Sequence, residues 1–333
     1  MPTLSVIIPN YNRATLIGET LNKVFAQTRP PDEVIVVDDG STDDSVTAIE
    51  KFGSRVTLIR QENRGPGAAR NRGIAAARGE LVQLMDNDDL CIPGHLAAME
   101  QTLVLSGAPF AYAPWLQVRI GESCATYAGR VLQQHSLPRY RPAAAWFVRN
   151  WFTLLPACLF RRAVLMRAGP FREDLRVAED MELLARVLVG EAEPAHCPDG
   201  LFLYRQHKEA QISRTATDWY RRASDWAEFL ALVETSMAPA LGRDDLRYLK
   251  HRQRDAEHEL FDAGGPAATA KRQFRWRLAR ETTRIGASLA RRAGGSGYAA
   301  AFGEGALTKA QAAGIAALGY TPARVSHAEL AHD

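Results

Sequence analysis

The sequence predicts an α/β protein with a mainly parallel central sheet flanked by helices. Three observations carry this: short runs rich in Val, Ile and Leu alternate with stretches of helical period, the helical stretches stop at Pro or Gly, and the runs lead into Asp- and Asn-rich loops.

The first expected strand is 4–8, five apolar or small residues ahead of Pro9. A helix over 14–27 follows and is closed by Pro30 and Pro31. The run EVIVV gives a second strand at 33–37, and the helix 43–52 ends at Gly53. A third strand at 55–59 precedes a helix over 66–78, which opens on Pro66 and stops before Gly79. The run ELVQLM, 80–85, gives the fourth strand.

Beyond it the alternation loosens. A helix is expected at 93–105, a strand at 110–118, a Gly-rich polar loop at 121–142, a helix at 178–189 after the Gly169-Pro170 turn, and a strand at 201–204. Residues 1–214 are read as one domain with a first half 1–92 and a second half 93–214, and residues 215–333 as a helical C-terminal extension rich in Ala, Arg and Glu. In that extension Lys271, Arg272, Arg275, Arg277, Arg280, Arg284, Arg291 and Arg292 face one acid, Glu281. Such a stretch is either a solvated helix packed on the main domain or a basic amphipathic helix in peripheral contact with an anionic membrane surface.

With 333 residues, 46% of them hydrophobic, the chain can bury a substantial core. A formal charge of +3 gives no reason to expect a nucleic-acid partner. Cys91, Cys124, Cys158 and Cys197 form no C-x-x-C pair, so neither a zinc site nor a disulfide framework is expected. The N-terminus lacks a basic segment and a long apolar run, and no stretch reaches the roughly 18 apolar residues of a spanning helix. A cytoplasmic protein is expected.

In an open parallel sheet ligands bind beyond the carboxyl ends of the strands. There lie Pro9-Asn10-Tyr11-Asn12-Arg13, Asp38-Asp39-Gly40-Ser41-Thr42-Asp43 and Asp86-Asn87-Asp88-Asp89. Each taken singly is compatible with an ordinary turn or helix cap. Two acidic clusters on one sheet edge call for a cation between them, and carboxylates suit Mg²⁺ or Mn²⁺ held jointly with substrate phosphates. There is no G-x-x-x-x-G-K-[ST], and Gly65-Pro66-Gly67-Ala68-Ala69-Arg70 ends in Arg and follows the third strand, so neither a P-loop nor a dinucleotide fingerprint is present. Trp146, Trp151 and Phe152 either offer an aromatic platform or belong to the core.

Five motifs in order resemble the inverting nucleotide-sugar glycosyltransferases of family 2, which have the Rossmann-like GT-A fold. They are Ser5-Val6-Ile7-Ile8-Pro9-Asn10-Tyr11-Asn12, Val37-Asp38-Asp39-Gly40-Ser41-Thr42-Asp43, Asn63-Arg64-Gly65 with Ala69-Arg70-Asn71-Arg72-Gly73, Met85-Asp86-Asn87-Asp88-Asp89, and Glu179-Asp180. The resemblance covers about the first 215 residues. It implies a first nucleotide-binding loop at Pro9, Tyr11 and Asn12, with Asp39 reading the imide edge of uracil and Arg70 on the base or diphosphate. It implies that Asp86 lies near the ribose, and that Asp88 and His207 hold Mn²⁺ or Mg²⁺, the histidine reaching the metal or the diphosphate. Asp180 would be the catalytic base, Glu179 would stand beside the acceptor, and the aromatic platform with Trp151 would take an acceptor sugar. The implied partners are a nucleotide-sugar donor, UDP-sugar favoured, and a glycan or lipid-linked acceptor. Two other readings stand beside it: a nucleotide-sugar-binding module without catalysis, and a metal-dependent phosphohydrolase, whose nucleophile loop would follow the first strand and not the fourth.

Overall fold

The computed structural model describes residues 1–127, 129, 131–149, 151–175, 177–190, 193–207, 219–262 and 305–325. Its first part runs β1 (Leu4–Asn10), α1 (Ile17–Phe25), β2 (Glu33–Asp38), α2 (Ser45–Glu50), β3 (Thr57–Arg60), α3 (Pro66–Ala76), β4 (Leu81–Leu84), β5 (Leu90–Cys91) and α4 (His95–Ser106). There follow β6 (Phe110–Tyr112), β7 (Trp115–Ile120), β8 (Cys124–Tyr127), α5 (Ala143–Val148), β9 (Cys158–Arg161), α6 (Arg162–Ala168), α7 (Glu179–Gly190), β10 (Ala195–His196) and β11 (Phe202–Arg205). The last described elements are α8 (Trp219–Met237), α9 (Arg243–Asp262), α10 (Lys309–Ala317) and β12 (Thr321–Arg324).

The central sheet has seven strands in the order β10-β6-β9-β4-β1-β2-β3. β1, β2, β3 and β4 are mutually parallel, with Asn10 opposite Asp38 and Ile7 opposite Leu84, so the loops leaving these strands share one edge. Ile7, Ile35, Val37, Val82 and Leu84 point into one core, and Leu4, Val6, Ile8, Val34, Val36 and Leu81 into the other. Burial on both faces is why these strands read as continuous apolar runs without polar alternation. α3 lies so close to the sheet that a Cβ on Gly73 would stand 2.3 Å from Ile7 Cγ2.

The second half departs from the sequence reading: besides the expected elements it holds β8, α5, β9, α6 and β10. The single strand expected at 110–118 is two, because Pro114 lacks the N–H a ladder needs, and the chain leaves the central sheet after β6 to enter a second one. β9, which the sequence reading lacks, is the antiparallel strand wedged between β4 and β6. The second sheet runs β12-β8-β7-β11-β5, and its β8 falls within the expected loop.

Past residue 215, α8 and α9 contribute Phe229, Leu230, Val233, Met237, Leu249 and Ala256 to the core on the α3 side of the sheet. Ile315 and Leu318, at and just beyond α10, close a third core with Leu90, Ile92, Leu116 and Leu203, while β12 pairs with β8. The basic stretch from Lys271 to Arg292 lies outside the described residues. Among the described residues no helix is long and apolar enough to cross a membrane.

Candidate active site

The shared edge gathers the three polar loops. At the end of β1 the buried Asn10 donates to Asp38 Oδ1 at 3.0 Å, and Asn87 donates to Asn10 Oδ1 at 3.0 Å, so one asparagine joins the loops after β2 and β4. Asn12 takes φ 50°, a left-handed conformation its short polar side chain tolerates, and its carboxamide oxygen accepts the Thr42 N–H at 2.8 Å. Tyr11 is 45% exposed at the tip of this loop, and Pro9 is half-buried beneath it.

Asp39 is 4% exposed and accepts three hydrogen bonds: Gln61 Nε2 at 2.8 Å and the Arg64 N–H at 2.9 Å on Oδ1, and the Gly65 N–H at 2.8 Å on Oδ2. A carboxylate offers about four lone-pair directions, which leaves one for an outside donor such as an imide N–H. Gly65 caps α3, and one turn on, the Arg70 guanidinium bridges Asp86 at 2.9 Å and Glu179 at 2.8 Å. Arg70 thereby ties the end of β4 to the start of α7, and these carboxylates raise its pKa against the opposing effect of its burial.

Asp88 Oδ2 stands 2.9 Å from His207 Nε2 and 3.2 Å from Arg13 Nε. Burial pushes the Asp88 carboxyl up, but the hydrogen bond from His207 and the charge of Arg13 outweigh it, and the net direction is down. Asp86 goes the other way: burial raises it, Arg70 lowers it, and the neighbouring Asp88 charge raises it again. Asp89 is fully buried and raised well above the usual range, by burial and then by Asp88 and Asp86; it serves the fold, accepting the Arg205 N–H at 2.7 Å.

α7 begins at the far side of this cluster. Ala178, immediately before it, has φ 67°, a strained conformation for a residue with a Cβ, and it sets the entry of Glu179 and Asp180. Asp180 accepts the Met181 N–H at 2.7 Å, and its charge bears on Arg70, Asp86 and Glu179 alike. Burial and then the Asp180 charge push Glu179 up to about 7, against the pull of Arg70.

Because the folded value of Glu179 exceeds the ordinary 4.5, the folded protein keeps a proton that the unfolded chain loses between pH 4.5 and about 7. The stabilising contribution of this group is therefore full below the lower value and declines as pH rises through the upper one. Glu179→Gln is expected to flatten that decline, by at most about 3 kcal/mol. Urea midpoints at pH 5 and pH 7.5 check it; an unchanged difference between the two would show that Glu179 titrates normally.

The structure thus brings Asn12, Asp39, Arg70, Asp86, Asp88, Glu179, Asp180 and His207 to one sheet edge. Trp151 is a correction. Its ring is fully buried, packed edge-on against Tyr112, and its indole N–H donates to Gln133 at 2.7 Å, so it is core and no sugar platform. Arg13 and Gln61 are site residues to which the sequence reading gave no role; only the place of Arg13, last in the first loop, signalled it.

Among the described residues no three His, Cys, Asp or Glu side chains are arranged to hold a metal by themselves. The Asp88–His207 pair supplies one carboxylate oxygen and one imidazole nitrogen, which suits an ion that takes its remaining ligands from phosphate and water.

Residues 5–168 match the family model described as Glycosyl transferase family 2. A putative glycosyltransferase, EpsH, of Bacillus subtilis is 27% identical over 71% of this chain and 69% of its own length. The succinoglycan biosynthesis protein ExoO of Rhizobium meliloti is 32% identical over 64% of this chain and 63% of its own. An uncharacterized glycosyltransferase of Nostoc sp. is 44% identical over 28% of this chain and 30% of its own length, so the match spans less than a third of that relative. Among solved structures, Staphylococcus aureus TarS 1-349 in complex with UDP-GlcNAc aligns with a TM-score of 0.59 at 22% identity, covering 82% of this chain and 78% of that one. The mannosyltransferase PcManGT of Pyrobaculum calidifontis aligns with a TM-score of 0.54 at 23% identity, covering 91% and 85%. Fold, ordered motifs and family model agree: the chain has the GT-A fold and, through residues 5–168, belongs to glycosyl transferase family 2.

Proposed function

We propose that the protein transfers a sugar from a nucleoside-diphosphate sugar, with a UDP-sugar favoured, to a hydroxyl of a glycan or glycolipid acceptor, with inversion at the anomeric carbon. The observation that carries this is the ionic chain across one edge: His207 and Arg13 on Asp88, then Asp86, Arg70, Glu179 and Asp180. Similarity supports it too. TarS has been solved with UDP and with UDP-GlcNAc, PcManGT with GDP-Man and Mn²⁺, and ExoO is named for the biosynthesis of a polysaccharide.

In this reading Asp39 takes the base through its remaining lone pair, Tyr11 and Asn12 frame the nucleotide, and Asp86 meets the ribose. Asp88 and His207 would hold Mn²⁺ or Mg²⁺, which neutralises charge on the departing diphosphate. Arg13 and Arg70 add fixed positive charge on the same side. Asp180 accepts the proton of the acceptor hydroxyl as its oxygen bonds to the anomeric carbon. The bond from that carbon to the phosphate oxygen breaks, and the nucleoside diphosphate leaves with the electron pair.

A panel of nucleotide sugars tested by thermal stabilisation with and without Mn²⁺ checks this reading. Stabilisation by one or a few donors, larger with Mn²⁺, is expected, followed by release of the nucleoside diphosphate. Stabilisation without any release would favour a binding module. Release of phosphate from simple phosphoesters with no donor preference would favour a hydrolase.

A further inference from the structure

Residues 305–325 come back to the donor side of the molecule. There α10 sits so tightly on β5 and its continuation that a Cβ on Gly314 would meet Ile92 Cβ at 2.9 Å. The Lys23 ammonium donates to the Leu318 carbonyl at 2.6 Å, and the Tyr320 hydroxyl donates to Glu19. Glu19 in turn holds the buried Arg205 guanidinium at 2.7 Å, and Arg205 is the last residue of β11, two before His207. The neighbouring Thr20 hydroxyl reaches the Asn87 and Asp89 carbonyls at 3.1 and 3.2 Å. One turn of α1 therefore grips both the loop that carries Asp88 and the strand end that carries His207.

We propose that Tyr320 is a positioning residue of the donor site: through Glu19 and Arg205 it fixes the end of β11 so that His207 meets Asp88. The distance between two ligands decides whether they chelate one ion, and partners behind the ligands commonly set it. Burial raises the Glu19 carboxyl, yet the hydrogen bonds from Arg205 and Tyr320 outweigh it, so Glu19 stays ionised between them. Burial and Glu19 push the Tyr320 phenol up to about 12, which keeps it a donor throughout the working range. The inference rests on the reading that Asp88 and His207 hold a divalent ion.

Tyr320→Phe removes one oxygen and keeps the ring that the Lys23 ammonium faces at 5.7 Å. Titration calorimetry of Mn²⁺ into protein with UDP is expected to show a dissociation constant about 3–10-fold higher than wild type. UDP affinity without metal and turnover at saturating Mn²⁺ should stay within about two-fold, and the ligand-free Tm within about 2 °C. Glu19→Gln should shift the Mn²⁺ constant in the same direction. Lys23→Met, which cuts the other tie from α1 to this segment, should lower Tm and leave that constant alone. An unchanged Mn²⁺ constant in both Tyr320→Phe and Glu19→Gln, or an equal rise in Lys23→Met, overturns the proposal. Failure of the wild-type protein to bind UDP with Mn²⁺ would instead refute the donor-site reading itself.

Discussion

Asp88→Ala is expected to lower UDP affinity in the presence of Mn²⁺ by at least about 100-fold, while UDP affinity without metal changes by less than about three-fold. The asymmetry follows from the site. Asp88 touches His207 and Arg13, whereas the base and ribose contacts assigned to Asp39 and Asp86 rest on separate hydrogen bonds to Gln61, Arg64, Gly65 and Arg70. Without the carboxylate only the His207 imidazole is left of the proposed pair, and one nitrogen does not hold a hard divalent ion. Calorimetry with and without Mn²⁺ separates these terms. Equal UDP affinity of variant and wild type in Mn²⁺ would remove Asp88 from the metal site.

What could be read from the sequence follows from what is local. β1, β2 and β4 lie within one or two residues of their expected limits because an apolar run ended by Pro, Asp or Gly carries its own boundaries. The loops after them were legible for the same reason, and the parallel register then puts them on one edge without further information. β9 was not legible: four residues, Cys158–Arg161, have no period to detect, and their antiparallel pairing is fixed by β4 and β6 far away in sequence. Trp151 failed as a surface residue because an aromatic reads alike in core and platform; its buried indole bond to Gln133 decides the matter. Tyr320 is the extreme case, since nothing near it hints at Glu19, 301 residues earlier.

Asp180→Asn is expected to keep donor and Mn²⁺ binding within about two-fold of wild type and to lower the transfer rate about 10²–10⁴-fold, the range for losing a general base. Asparagine preserves the size of the side chain and an oxygen to accept the Met181 N–H, so the start of α7 keeps its geometry. The adjacent Glu179 is the natural rival for the role, and its surroundings argue against it. It is buried and its carboxylate is held by Arg70, whereas a general base needs a lone pair that the acceptor hydroxyl can reach. Asp180 is half-buried, the more exposed of the two carboxylates. Single-turnover rates of Asp180→Asn and Glu179→Gln with the same donor and acceptor distinguish the two. Near-normal turnover in Asp180→Asn together with loss in Glu179→Gln would move the base to Glu179, whereas the reverse pattern assigns proton removal to Asp180 and leaves Glu179 the task of orienting Arg70 against Asp86.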